Sequence, residues 1–369
     1  MNVLIAPDKF KGTLSARAAA AAIARGWRRS RPGDDLDLLP ISDGGDGFGE
    51  VMSELFVAKP CRVTTVDAAH RPITATWWWE AKSKTAIVES ANIVGLAMLP
   101  IGKFHPFALD TFGLGAVLRA AQRRGARQII VGIGGSATND GGFGLARALG
   151  WNFFGGTGME ISRWTELDKL AEVRRPRRRL AVRIVVAVDV ENKLLGVRGA
   201  TRVYGPQKGM RPVDFAHAER CLRRLATVVK SRHGPDLATE RGAGAAGGLG
   251  FGLRAFAGAR LQPGFALFAK LARLSKHLSK AELVITGEGA IDRSSAMGKG
   301  AGELARVCRA LKIPRLGFAG KVTLARGSQQ LFTEVHALVE ITTERQAKVR
   351  AAFWLEELAA RVAAGWRVS

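Results

Sequence analysis

Short apolar, β-branched runs recur along the chain. Most lead into stretches whose apolar positions return every three or four residues. Residues 3–6, 36–41, 86–90, 128–132, 182–189, 282–286, 315–319 and 337–341 predict strands. Residues 114–124, 143–149, 213–233, 298–311 and 347–364 predict helices. A further helix starts at a Thr13 or Ser15 cap and runs through alanines to Trp27. Residues 62–67 and 73–80 alternate in polarity on either side of a turn, which predicts a hairpin. Strand–helix alternation implies a mainly parallel sheet with helices on both faces. The hairpin and the irregular stretch 155–180 break that rhythm and point to a second, less regular α/β domain.

Composition changes this picture little. The 369 residues, 47% hydrophobic, can bury one large core or two ordinary ones. The 44 glycines cluster at strand–helix turns, which marks α/β loops and not disorder. Cys61, Cys221 and Cys308 stand far apart with no metal-type spacing, as expected for a reducing, cytoplasmic setting. No apolar run reaches membrane-spanning length, and the short apolar run at residues 3–6 has no basic lead of a signal peptide.

Charge poses a sharper question. The net charge of +24 would suit non-specific nucleic-acid binding. It is, however, spread along the chain. Its densest run, Arg174-Arg175-Pro176-Arg177-Arg178-Arg179, has no interleaved aromatics, and the chain holds one tyrosine. A solvated basic surface without nucleic-acid binding is the expectation.

Candidate chemistry sits at the carboxyl ends of the predicted strands, where open α/β sheets bind ligands. There the chain reads Asp8-Lys9-Phe10-Lys11, Asp43-Gly44-Gly45-Asp46-Gly47, Gly134-Gly135-Ser136-Ala137-Thr138-Asn139-Asp140, Asp189-Val190-Glu191-Asn192 and Gly287-Glu288-Gly289-Ala290-Ile291-Asp292. A lone acid at such a place reads as a helix cap; five such ends together suit phosphoryl transfer. That reaction needs cations against phosphate oxygens, carboxylates for Mg²⁺ and a base at the acceptor hydroxyl. Lys9, Lys11, Lys208 and Lys299 lie in glycine-containing loops and supply candidate cations. Gly132, Gly134 and Ala137 fit a dinucleotide fingerprint, but no acid closes a second strand about 20 residues on. Walker A and protein-kinase motifs are absent.

Six segments in order resemble the bacterial glycerate kinase family. They are residues 5–12, 42–47, 132–142, Gly205-Pro206-Gln207-Lys208-Gly209, 242–250 and Val284-Ile285-Thr286-Gly287-Glu288-Gly289. The resemblance implies ATP- and Mg²⁺-dependent phosphorylation of D-glycerate, with 2-phosphoglycerate the favoured product and a homodimer among the assemblies it allows. It implies a Rossmann-like doubly wound domain, residues 1–58 and 282–369, and an inserted mixed α/β domain, residues 59–281, with the active site in the cleft between them. In this scheme Asp189, Lys11 and Asp43 are catalytic. Gly134, Gly135, Ser136, Thr138, Asn139, Lys208 and Lys299 bind the nucleotide, with the Gly134 and Gly135 amides on phosphate. Asp140, Glu288 and Asp292 are the metal ligands. The chain departs from the family pattern at Glu191, Lys193, Ala290, Lys321 and the Ala108-Leu109-Asp110-Thr111 stretch, and residues 155–181 are shorter and basic. Those departures keep open a catalytically weakened relative that binds a phosphorylated metabolite or nucleic acid.

Overall fold

A computed structural model describes residues 1–292, 300–323 and 331–367. The chain divides into two compact units, Met1–Asp43 with Phe265–Ser369, and Gly44–Gly264. Residues 44–58 and 265–281 therefore fall on the other side of the boundary from the sequence expectation. Both units are α/β, with parallel strands and flanking helices.

In the first unit, strands β1 (Asn2–Ile5) and β2 (Asp35–Leu38) are joined by late strands of the chain. The sheet also contains β11 (Leu283–Ile291), β12 (Arg315–Val322) and β13 (Glu334–Ala337), in the order β13-β12-β11-β1-β2, all parallel. Helix Ala16–Ser30 begins where the Ser15 hydroxyl accepts the Ala18 N–H at 3.2 Å. It crosses helix Ala351–Gly365 so closely that a Cβ on Gly26 would lie 2.1 Å from the Glu356 carbonyl oxygen. Ile5, Ile23, Trp27, Ile285, Phe318 and Leu355 fill the core beneath.

Two sequence expectations shift here. The strand expected at 337–341 is β13, ending at Ala337, and Leu338–Glu340 turns into a 3-10 helix. The apolar Leu338 is buried by that turn, not by strand pairing. β11 continues past Thr286 through its glycines, because its far half still pairs with β12: Glu288 lies opposite Ala319, and Ala290 opposite Lys321.

The second unit holds β3 (Lys59–Val66), β4 (Pro72–Glu80), β5 (Thr85–Glu89), β6 (Gln128–Gly132), β9 (Arg183–Val188) and β10 (Arg260–Pro263), in the order β10-β9-β6-β5-β4-β3. The expected hairpin is β3–β4, antiparallel, while β5, β6, β9 and β10 run parallel. The stretch read as irregular is a second hairpin, β7 (Asn152–Gly155) with β8 (Leu170–Arg174), bridged by a 3-10 helix, Trp164–Lys169. Cys61, Cys221 and Cys308 are free thiols. No described helix is long and apolar enough to cross a membrane.

Candidate functional site

Within the second unit, the loop after β6 is tied on every side. It runs against residues 94–96, with the Ala137 N–H on the Val94 carbonyl at 2.8 Å and the Leu96 N–H on the Gly135 carbonyl at 2.9 Å. The Gly134 N–H donates to the Gly44 carbonyl at 3.0 Å, so this amide is already engaged. The glycines are demanded by close approach. A Cβ on Gly134 would lie 2.5 Å from the Gly45 Cα, and one on Gly135 1.8 Å from the Asp46 carboxylate.

Asp140 closes the loop, just before helix Phe143–Ala148. It is fully buried, and its carboxylate accepts the Thr111 N–H (3.0 Å), the Thr111 hydroxyl (2.7 Å), the Gly142 N–H (3.1 Å) and the Gly144 N–H (2.8 Å). It thus fills the amino end of helix Phe143–Ala148. Burial and the nearby Asp110 raise its pKa to about 6, against the pull of these hydrogen bonds.

Ser136, Thr138 and Lys208 come together. Lys208 closes the 3-10 turn Pro206–Lys208 and is 5% exposed. Its Nζ donates to the Thr138 carbonyl at 2.7 Å and to the Ser136 hydroxyl at 3.4 Å. The Ser136 hydroxyl in turn donates to the Ala246 carbonyl at 3.0 Å. Burial pushes the Lys208 pKa down to about 7, with Asp140 pulling the other way. Asn139 is also buried; its Nδ2 donates to the Thr201 hydroxyl at 3.1 Å.

The glycine–alanine run 242–250 is the packing partner of this loop. Ala246, Gly247 and Gly248 have φ of +55°, +71° and +87°. The Gly141 N–H donates to the Gly247 carbonyl at 3.1 Å, and a Cβ on Gly247 would lie 1.8 Å from the Thr138 carbonyl oxygen. Gly247→Ala should therefore destabilise the protein by more than about 3 kcal/mol, or prevent folding. Urea denaturation would measure this; a loss below about 1 kcal/mol would show that the loops separate freely.

Asp189 follows β9, half-buried, and its charge adds to burial in raising the pKa of Tyr204. The Tyr204 hydroxyl donates to Asn192 Oδ1 at 2.6 Å. Glu191 is exposed and pairs with Arg241 at 3.2 Å.

In the first unit, Asp8 is buried beside Asp43 and Glu288. Burial, then Asp43, and more weakly Glu288, raise its pKa well above the usual carboxylate range, while Lys9 lowers it. Asp8 heads one of the five acid-bearing strand ends but has no role of its own in the sequence scheme; it lies three residues beyond β1. Glu288 lies inside β11 and Asp292 just after it. Lys11 is exposed, and Lys299 lies outside the described residues. Among the described residues, no three His, Cys, Asp or Glu side chains converge tightly enough to hold a metal by themselves. An ion carried by phosphates needs only one or two protein carboxylates. Asp8, with Asp43 and Glu288 near enough to raise its pKa, offers carboxylates from which one or two could meet such an ion. Asp140 is more heavily engaged, with three donors on its Oδ2 and one on its Oδ1.

Residues 3–367 match the glycerate kinase family. The chain is 37% identical to the glycerate 2-kinase of Escherichia coli over 328 residues, covering 88% of this chain and 86% of that one. It is 34% identical to the glycerate kinase of Bacillus subtilis over 382 residues, covering 100% and 98%. Its fold superposes with a TM-score of 0.80 and 32% identity on the crystal structure of a putative glycerate kinase 2 from Salmonella typhimurium LT2, covering 99% of this chain and 98% of that one.

Proposed function

The chain belongs to the glycerate kinase family, and from that premise we propose that it transfers the γ-phosphoryl group of ATP to D-glycerate, giving 2-phosphoglycerate. The observation that carries this reading is Lys208. An ammonium group 5% exposed, with a carbonyl and a hydroxyl as its hydrogen-bond partners, is a costly arrangement for folding alone. It suits a site that receives anionic oxygens.

In this reading Lys208, Ser136 and Thr138 hold the transferring phosphoryl group, and Lys208 offsets charge spread over its oxygens in a loose transition state. Asp189 accepts the proton of the attacking hydroxyl, with Asn192 and Tyr204 beside it. Mg²⁺ bound with the nucleotide would be held by one or two of Asp8, Asp43 and Glu288, and would supply charge neutralisation on the phosphates. Lys321, opposite Ala290 in the sheet, supplies a positive charge beside that departure from the family pattern. The enzyme acts in the cytoplasm.

The test is D-glycerate-dependent ADP release at low salt, with the product fed to enolase, which consumes 2-phosphoglycerate and not 3-phosphoglycerate. Equal signals in both assays are expected. Absence of glycerate-dependent ADP release would overturn the reading. Tight ATP binding without turnover would favour the weakened relative, a reading that the outward-facing Glu191 supports.

The arginine run has no part in this chemistry. Arg174 stacks over Phe154 at 4.2 Å and pairs with Glu172 at 2.9 Å on the exposed hairpin, and Arg177, Arg178 and Arg179 are exposed. Replacing the run's arginines by glutamine should leave kcat/KM within about twofold, because scattered surface charge acts mainly on encounter. A rise confined to the KM for ATP would show instead that the run steers substrate.

A further inference from the structure

Glu89 stands out as a buried acid that the reaction scheme leaves without a task. It ends β5 and is 4% exposed. In the sheet it pairs with Gly132, the residue from which the glycine loop departs. Its Oε1 accepts the Gly47 N–H and its Oε2 the Gly49 N–H, both at 2.8 Å. These two amides belong to the amino end of helix Phe48–Leu55, and one carboxylate spans them.

The clamp fixes residues 44–47, and that segment touches everything around it. The Gly44 carbonyl accepts the Gly134 N–H at 3.0 Å. A Cβ on Gly44 would lie 2.8 Å from the carbonyl oxygen of Ala187, two residues before Asp189. A Cβ on Gly132 would lie 2.5 Å from the Phe48 ring, and one on Gly49 2.1 Å from the Trp78 ring. With glycine at each contact, backbone rests on backbone or ring, so a shift of one segment moves the other. Glu89 is the charged group that locks the pair.

We propose that Glu89 is a positioning residue. Its carboxylate, bridging the Gly47 and Gly49 amides, sets the 44–47 segment against the Gly134-Gly135-Ser136 loop and the end of β9, and so places the phosphate-binding hydroxyl and Asp189. The two amides form a carboxylate-sized cradle at a helix amino end, favourable to one negative charge. The proposal rests on the phosphoryl-transfer reading for its kinetic part, but the mechanical part stands without it.

The test uses Glu89→Gln and Glu89→Ala in the full chain, assayed well below their melting temperatures. In Glu89→Gln the amide must present an NH₂ to one of the two N–H donors. The expected loss in kcat is about tenfold or more, with the KM for D-glycerate nearly unchanged, because misplacement and not lost contact is the defect. Glu89→Ala leaves the cradle open, and added acetate should restore kcat with saturation where equal chloride does not. Hydrogen exchange should rise together at residues 44–49 and 132–136 in Glu89→Gln, while β12 stays protected. Joint exchange gain in a protein whose wild type lacks glycerate-dependent ADP release would uphold the clamp and remove the function. Unchanged exchange at 132–136, or a kcat loss that acetate does not rescue in folded Glu89→Ala, would overturn the clamp. Should Glu89→Ala fail to fold, exchange in Glu89→Gln decides alone.

Discussion

Lys208→Met is expected to lower kcat/KM for ATP by about a hundred- to a thousandfold, the range seen when one preorganised electrostatic contact to a transition state is removed. Methionine keeps the length and fills the space beneath the glycine loop, so the loss belongs to the charge. The same substitution should raise thermal stability near neutral pH. The folded-state pKa of Lys208 lies at about 7, below the 10.5 of an exposed lysine, so the unfolded chain binds the extra proton between those values. The cost of burying the ammonium is therefore complete below pH 7 and fades as pH rises toward 10.5. Melting curves across pH 6 to 10 should show the variant's advantage greatest at the acid end. A variant that keeps its activity would remove Lys208 from the site. One that loses stability at pH 6 would show that its two hydrogen bonds outweigh its desolvation.

Asp189→Asn is expected to cut turnover by about a hundredfold or more, with folding intact. The side chain follows a strand whose residues Ile184 to Val188 are all buried, so its support is rigid. Asparagine is nearly isosteric and keeps a hydrogen-bonding oxygen; a turn-capping role would therefore lose little. Kinetics under saturating ATP and D-glycerate separate the two. Near-normal turnover would move the base to Asp43 ahead of Asp140, whose fully buried carboxylate already accepts four hydrogen bonds.

The apolar period was a good guide wherever strands are buried on both faces. Residues 129–131 and 184–188 consist of Ile, Val and one Ala, and β6 and β9 fall on them. It failed at β10, where Arg260-Leu261-Gln262-Pro263 carries one large apolar residue and gains its strand character from pairing with β9. It was early by half an element at β11, because glycine reads as a turn until a neighbouring strand is known to continue beside it. The loop after β6 was legible as a crowded polar junction. What no local pattern reveals is which donors are already spent. Asp140 lies inside the motif and takes the amino end of the helix that follows it. Gly134 gives its N–H to a carbonyl 90 residues away in sequence. Glu89 reads in the sequence as one more acid after an apolar run. Its role appears only when Gly47 and Gly49 arrive beside it from an earlier segment.

The interleaving of the two units has a consequence for synthesis. β1 lies between β2 and β11, so one of its two edges waits for residues near 283. At ribosomal rates of about 5–20 residues per second, β11 emerges roughly 12–50 s after β2. During that interval the whole of Gly44–Gly264 leaves the exit tunnel with its own sheet complete. The central unit should fold first, while Val3, Leu4 and Ile5 remain an apolar strand with an unpaired edge. A nascent chain stalled before residue 283 is thus the species in which chaperone capture at the amino terminus should be strongest.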